Sequence, residues 1–199
     1  MPSSADASRS ARDRLLDAAV DVATTNGLTK LSVGDVAKRA GLSRQTLYKH
    51  FASKEDLVAQ AVLRETGAMV EQVVAAADAH EDPEDSLEAA IATMLRVARA
   101  HPLLDRLITT EPEALLPLLV GDRGPVPGAV RAVGESVLAQ RLPDLDPADV
   151  HRAADVLGRL LVSYAVAAPD ESPEVVAAFL ARTLTAGLTS SADASTSPR

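Results

Sequence analysis

A chain of 199 residues without a single cysteine rules out a disulfide scaffold, a thiolate metal site and a cysteine nucleophile. No apolar run approaches the roughly 20 residues of a membrane span, and the N-terminus lacks a signal-peptide core, so a soluble, cytoplasmic protein is expected. The net charge of −8 argues against a nucleic-acid partner until it is divided along the chain. Residues 1–58 hold nine Lys/Arg against seven Asp/Glu, residues 59–199 hold eleven against twenty-one, and Lys30, Lys38, Lys49 and Lys54 are the only lysines. An acidic body with a locally basic end can still engage phosphate, because charges beyond about 8–10 Å are largely screened.

Residues 1–8 are small and polar and read as disordered. From about Arg9 to Asn26, Leu15, Leu16, Ala19, Val22 and Ala23 recur at helical spacing, and Gly27 ends the helix. Its arginines Arg9, Arg12 and Arg14 either reach backbone phosphate or form an ordinary solvated face. Ser32 then caps a short helix, with Asp35 completing a capping-box-like pair and Val33, Val36, Ala37 and Ala40 on its inner side. Gly41 reverses the chain, and Ser43 caps a second short helix that begins Arg44-Gln45-Thr46. Two short helices across a tight turn make a helix-turn-helix, whose second helix enters the DNA major groove. Leu28, Leu31, Val36, Leu42, Leu47 and Phe51 complete a three-helix core with the first helix.

The run G-L-S-R-Q-T-L-Y-K-H-F-A-S-K-E-D-L resembles the DNA-binding signature of the TetR family of bacterial repressors. The positions that carry the resemblance are Thr46, Leu47, Tyr48, His50, Phe51 and Lys54. It implies an all-α protein: a helix-turn-helix DNA-binding domain over 9–54, then a helical ligand-binding and dimerisation domain over 55–188. It also implies that Tyr48, His50 and Lys54 contact the phosphate backbone. From its chemistry Arg44 is the best reader of guanine O6/N7, and Gln45 suits adenine. Thr46 and Lys49 are placed for base or phosphate. Ser32 serves as N-cap alone or as a phosphate ligand as well.

A long helix starting at Ser53 runs to about His80. Asp82-Pro83, Asp146-Pro147 and Ser172-Pro173 each put a capping residue before a proline, opening helices over about 83–101, 147–168 and 173–188. Residues 103–119 read as one or two shorter helices broken by Pro112 and Pro117, and 121–128 as a loop before a helix that ends near Leu142. The Ser/Thr/Ala-rich tail 189–199 reads as disordered. No strand pattern and no internal repeat appears.

The last two helices are apolar beyond one face, which points to burial on two sides. In agreement, the resemblance implies a homodimer through these helices, and Val150, Ala154, Leu157, Leu161, Val176, Phe179, Leu180, Thr183 and Leu184 are the candidate interface residues. It also implies a small-molecule pocket in the second domain. Candidate lining residues are Met69, Met94, Leu95, Ala98, His101, Leu103, Leu107, Leu115, Leu118, Leu161 and Tyr164, for each of which ordinary core is the alternative. The scarcity of aromatic residues points to an apolar, aliphatic ligand. Glu111 and Glu113, flanking Pro112, either anchor a cationic ligand or are solvent-exposed turn residues.

No catalytic motif, metal-ligand spacing or cofactor loop is present, so no enzyme activity, metal or cofactor is expected. The function expected is a homodimeric repressor that binds double-stranded operator DNA and is released by a small apolar effector, with no membrane partner. A regulator without an inducer, or an activator, is the alternative within that class. A helical carrier or enzyme would leave the first 54 residues unexplained.

Overall fold

The starts predicted at Ser32, Ser43, Ser53, Asp82, Asp146 and Ser172 are all helix starts in the computed structural model. It describes residues 10–119 and 125–196, with backbone alone at 116–118, 125 and 191–196. Among the described residues the order is α1 (Ala11–Asn26), α2 (Val33–Arg39), α3 (Arg44–His50), α4 (Lys54–Asp78), α5 (Pro83–Ala100), α6 (Pro102–Thr110), α7 (Pro112–Leu119), α8 (Pro125–Arg141), α9 (Pro147–Val166) and α10 (Pro173–Thr196), with no strand. None of these helices is long and apolar enough to cross a membrane.

Three expectations need correction or fall outside this range. Pro127 and Gly128 lie inside α8 rather than in a loop, because Pro125 takes the first helical position, where a missing N–H costs nothing. Residues 120–124 of that expected loop, like the expected disordered residues 1–8, lie outside the described residues. The tail is not irregular from Leu188 onward: α10 continues to Thr196. There Thr189 and Ser190 donate their hydroxyls to the carbonyls of Thr185 and Ala186, so the polar residues join the helix instead of competing with it. Residues 197–199 lie outside the described range.

The chain divides into two compact units. Residues 1–65 and 102–115 form the first; residues 66–101 and 116–199 form the second. In the first, Leu15, Leu16, Val36, Leu47, Phe51 and Leu57 are almost wholly buried, and α6 adds Leu103 and Leu107 to that core. The N-terminal stretch thus draws in a helix from the middle of the chain, which the expected boundary at residue 54 does not include.

In the second unit, α9 packs along α8 and α10 along α5. Ile91, Leu95, Leu138, Ala154, Leu157, Ala177 and Ala181 form its centre. The C-terminal end of α4 is held there by side chains rather than by a glycine cap. The wholly buried Ser86 donates its hydroxyl to Ala77 O at 2.9 Å. Arg141, at the end of α8, donates to the same carbonyl at 3.1 Å, to Ser86 Oγ at 3.1 Å and to the Asp78 carboxylate at 3.2 Å. A cation at a helix C-terminus also meets the negative end of the macrodipole. Arg141→Met should therefore destabilise the second unit by about 1.5–3 kcal/mol, the range for hydrogen bonds to charged groups. A urea titration checks this: the midpoint should fall at unchanged slope, and an unmoved midpoint would show the contacts to be worthless.

Candidate nucleic-acid interface

The turn between α2 and α3 is built to one geometry. Leu42 N–H reaches Ala37 O at 2.9 Å and Gly41 N–H reaches Lys38 O at 3.1 Å, the paired bonds of a Schellman ending. Gly41 has φ +66°, a left-handed conformation that a side chain would strain. Arg14 adds a bond from its guanidinium to Ala40 O at 2.6 Å, so it caps α2 and is not a free phosphate ligand. Arg12 is likewise engaged, bonded to Gln60 and lying over the Phe51 ring at 5.7 Å. Arg9 lies outside the described residues.

Helix α3 presents two unlike faces. Leu47 and, just past its end, Phe51 are buried to about 1 % exposure, which fixes the helix on the core. Arg44, Gln45, Tyr48, Lys49 and His50 are exposed, and Tyr48 keeps 55 % of its surface in solvent. Thr46 is half-buried; its N–H bonds Ser43 Oγ at 3.0 Å and its hydroxyl lies 2.9 Å from the same oxygen. The Arg44 guanidinium rests over Gly34, in the space a side chain there would fill. Ser32 accepts from Asp35 N–H at 3.1 Å and donates to the Asp35 carboxylate at 2.6 Å. The Ser32 hydroxyl is thus the N-cap of α2. Lys54, half-buried, directs its ammonium toward Thr29 O at 3.5 Å. Asp56 closes the cap of α4, accepting from Ala52 N–H at 2.8 Å and from Gln60 at 2.7 Å. The Gln60 bond first, then the Ala52 amide, holds its carboxyl below the usual range.

Residues 15–61 match the family model "Bacterial regulatory proteins, tetR family", and residues 82–186 match "Bacterial Tetracyclin repressor, C-terminal domain". The chain belongs to the TetR family. It is similar to the HTH-type transcriptional regulator AlkX of Mycobacterium tuberculosis, 34 % identical over 189 residues, covering 91 % of this chain and 87 % of that protein. It also resembles the HTH-type transcriptional repressor KstR of Mycolicibacterium smegmatis, 29 % identical over 81 % of this chain and 78 % of KstR. Among solved structures, the TetR family repressor AlkX from Dietzia sp. superposes with a TM-score of 0.70 at 25 % identity, covering 89 % of this chain and 97 % of that one. The protein is therefore a DNA-binding transcriptional regulator and not an enzyme.

The other candidate residues fare unevenly. Val150, Ala154, Leu157, Leu161, Val176 and Leu180 are at most 7 % exposed, packed in the chain's own core, so they are not an outer face. Only Phe179 and Thr183 of that set are exposed, and Leu184 is half-buried. On these two helices the large apolar residues left exposed are Val156 and Leu160 of α9 and Val175 and Phe179 of α10. One apolar row had to be inner and the other outer, and the sequence spacing alone does not order them.

The pocket candidates do not all belong together. Leu103, Leu107 and Leu115 are buried in the first unit. Leu103 lines a small void there with Ala19, Ala23, Leu31, Val58 and Val62. Met69, Met94, Leu95, Ala98, His101, Leu161 and Tyr164 belong to the second unit. Leu95, Ala98 and Leu161 are buried, and Met94 and Tyr164 pack against the core. The His101 backbone caps α5, donating to Ala98 O at 3.3 Å. The Leu118 side chain lies outside the described residues.

Two polar contacts were not foreseen in the sequence: His151 Nδ1 stands 2.7 Å from the Glu135 carboxylate, and Glu111, expected at a cationic ligand or in solvent, binds backbone amides more than 80 residues away. The geometry of α3 generates one prediction about readout. Arg44→Ala should relax preference at one base pair per half-site, at about 1–3 kcal/mol per contact. Lys54→Ala should instead weaken all sequences alike and lower the salt slope by about one per subunit. Binding-site selection on random duplexes separates the two, and an unchanged preference in Arg44→Ala would remove it from the base readers.

Proposed function

We propose that this regulator is a homodimeric repressor that grips a two-fold operator and is released by an aliphatic effector. The observation that carries the assembly is Phe179. The chain has only two phenylalanines, and this one keeps 57 % of its surface exposed beside Val175 on α10, while α9 exposes Val156 and Leu160. Full burial of such side chains is worth about 1.5–3 kcal/mol each, so leaving four of them bare favours a covering partner. A second copy meets the same patch through a two-fold axis, and a two-fold protein asks for a palindromic operator with half-sites about 34 Å apart or a multiple of that.

Phe179→Glu, or Leu160→Asp, should give a folded monomer that no longer holds operator at micromolar concentration. Leu161→Asp, by contrast, should unfold the second unit, because Leu161 is buried. Sedimentation of the wild type as a monomer would sink the dimer.

The effector class follows from where the aromatic residues stand. Phe51 is core and Tyr48 is surface in the first unit, Phe179 faces solvent, and there is no tryptophan. Among Phe, Tyr and Trp, Tyr164 alone remains to stack on a planar ligand within the second unit, whose hydrophobic core clusters are otherwise Leu, Ile, Val, Ala and Met. The AlkX relative from Dietzia sp. is described as implicated in biodegradation of n-alkanes, which agrees with an aliphatic ligand.

A ligand releases DNA only by binding the DNA-incompetent arrangement more tightly, and DNA must then weaken ligand binding by the same factor, typically about 5–150-fold. Titration with a long-chain n-alkane or fatty acid, with and without operator, tests this. Equal affinities in the two states would mean that aliphatic chains are not inducers. Ala98→Phe, which adds a ring at a buried position of the second unit, should blunt the response and spare DNA binding.

A further inference from the structure

Glu111 sits between α6 and α7, at the one-residue break that Pro112 follows. Its half-buried carboxylate is engaged with backbone amides. Oε2 accepts from the backbone N–H of Leu28 at 2.8 Å and of Thr29 at 3.2 Å, the two amides of the turn that joins α1 to α2. Oε1 occupies the space that a side chain at residue 27 would fill, and residue 27 is a glycine with φ +95° and ψ 154°. That conformation is one only glycine adopts without strain. The turn is therefore shaped, in both its backbone angles and its missing side chain, to receive this carboxylate. The carbonyl of Thr29 in turn faces the Lys54 ammonium at the start of α4.

Burial works to raise the Glu111 pKa, but the Thr29 and Leu28 hydrogen bonds and the Arg106 charge hold it below the usual carboxylate range. The group is thus an anion throughout the neutral range, and its bonds to the two amides are charge-assisted.

The segment that carries Glu111 has a particular place in the chain. Residues 102–115 fold with the DNA-binding unit, yet at both ends the chain continues into the other unit. We propose that Glu111 is a positioning residue for DNA binding: its carboxylate holds the α1–α2 turn, and through it α2 and Lys54, in the DNA-competent form. Withdrawal of α6 and α7 would then release the turn by breaking these two hydrogen bonds. The inference rests on the chain being a DNA-binding regulator and is independent of which effector it takes.

The test uses the full-length protein and a duplex selected by it from a random library. At a temperature where circular dichroism shows every variant folded, Glu111→Ala should weaken binding by about tenfold or more, the scale of one charge-assisted hydrogen bond. Base preference should stay as in the wild type, because no base reader has been touched. Glu111→Gln keeps the shape and one acceptor oxygen and should fall in between; it supplies the answer if the alanine variant does not fold. Glu113→Ala, at the exposed neighbouring position, is the control and should bind like the wild type. Hydrogen exchange at Leu28 and Thr29 should quicken in both Glu111 variants. A merely structural role would lower the melting point and leave the affinity of the folded protein unchanged, and that result, or slow exchange at both amides in Glu111→Ala, would overturn the proposal.

Discussion

A seven-residue helix does not hold itself together in water, since isolated helices shorter than about 12–15 residues are marginal even with ideal sequences. Both α2 and α3 have seven residues, so the DNA-reading element exists only through what is attached to it. Each attachment is visible. Ser32 and Ser43 cap the two starts, Gly41 and Arg14 close the end of α2, and Val36, Leu47 and Phe51 are buried in the core that α2 and α3 form with α1. Loss of any one cap costs about 1 kcal/mol, but truncation of Phe51 would cost about 3–5 kcal/mol, so core burial decides the stability and the caps decide the register. Exposed Arg44, Gln45 and Tyr48 are displayed by a platform to which they contribute almost nothing.

The same dependence explains what could be read from the chain without its fold. Ser32, Ser43, Ser53, Asp82, Asp146 and Ser172 act on amides two or three residues away, so local spacing sufficed to place every one of those helix starts. The core face of α3 was equally legible, because Leu47 and Phe51 obey a short-range period. Contacts between distant parts were not. Glu111 beside Pro112 looks like an exposed turn residue until α6 is found packed in the first unit. On α9 and α10, which hold apolar residues on two sides, periodicity cannot say whether Leu157 or Leu160 faces inward; only the packing of α5 and α8 against them does.

Charge is distributed by the same logic. Acidic residues occupy the first turns of α1, α2, α4, α5, α9 and α10, where the positive end of the helix dipole favours them. Others are neutralised in pairs, such as Arg96 with Glu174 and Arg159 with Asp155. Much of the net −8 is therefore helix-capping charge rather than a field directed at a partner. Helices α3 and α8 hold no acid in the first turn, and of the two only α3 belongs to the helix-turn-helix. Its cap is the neutral hydroxyl of Ser43, its first turn holds no acid, and its last turn holds Lys49 and His50. A carboxylate cap there would be as good for the helix, yet it would stand at the end that enters the groove and repel the phosphates on either side. Helix α3 forgoes at its N-terminus the dipole stabilisation that most of the other helices use, and an acidic protein keeps one surface on which DNA meets no negative charge from the helix that reads it.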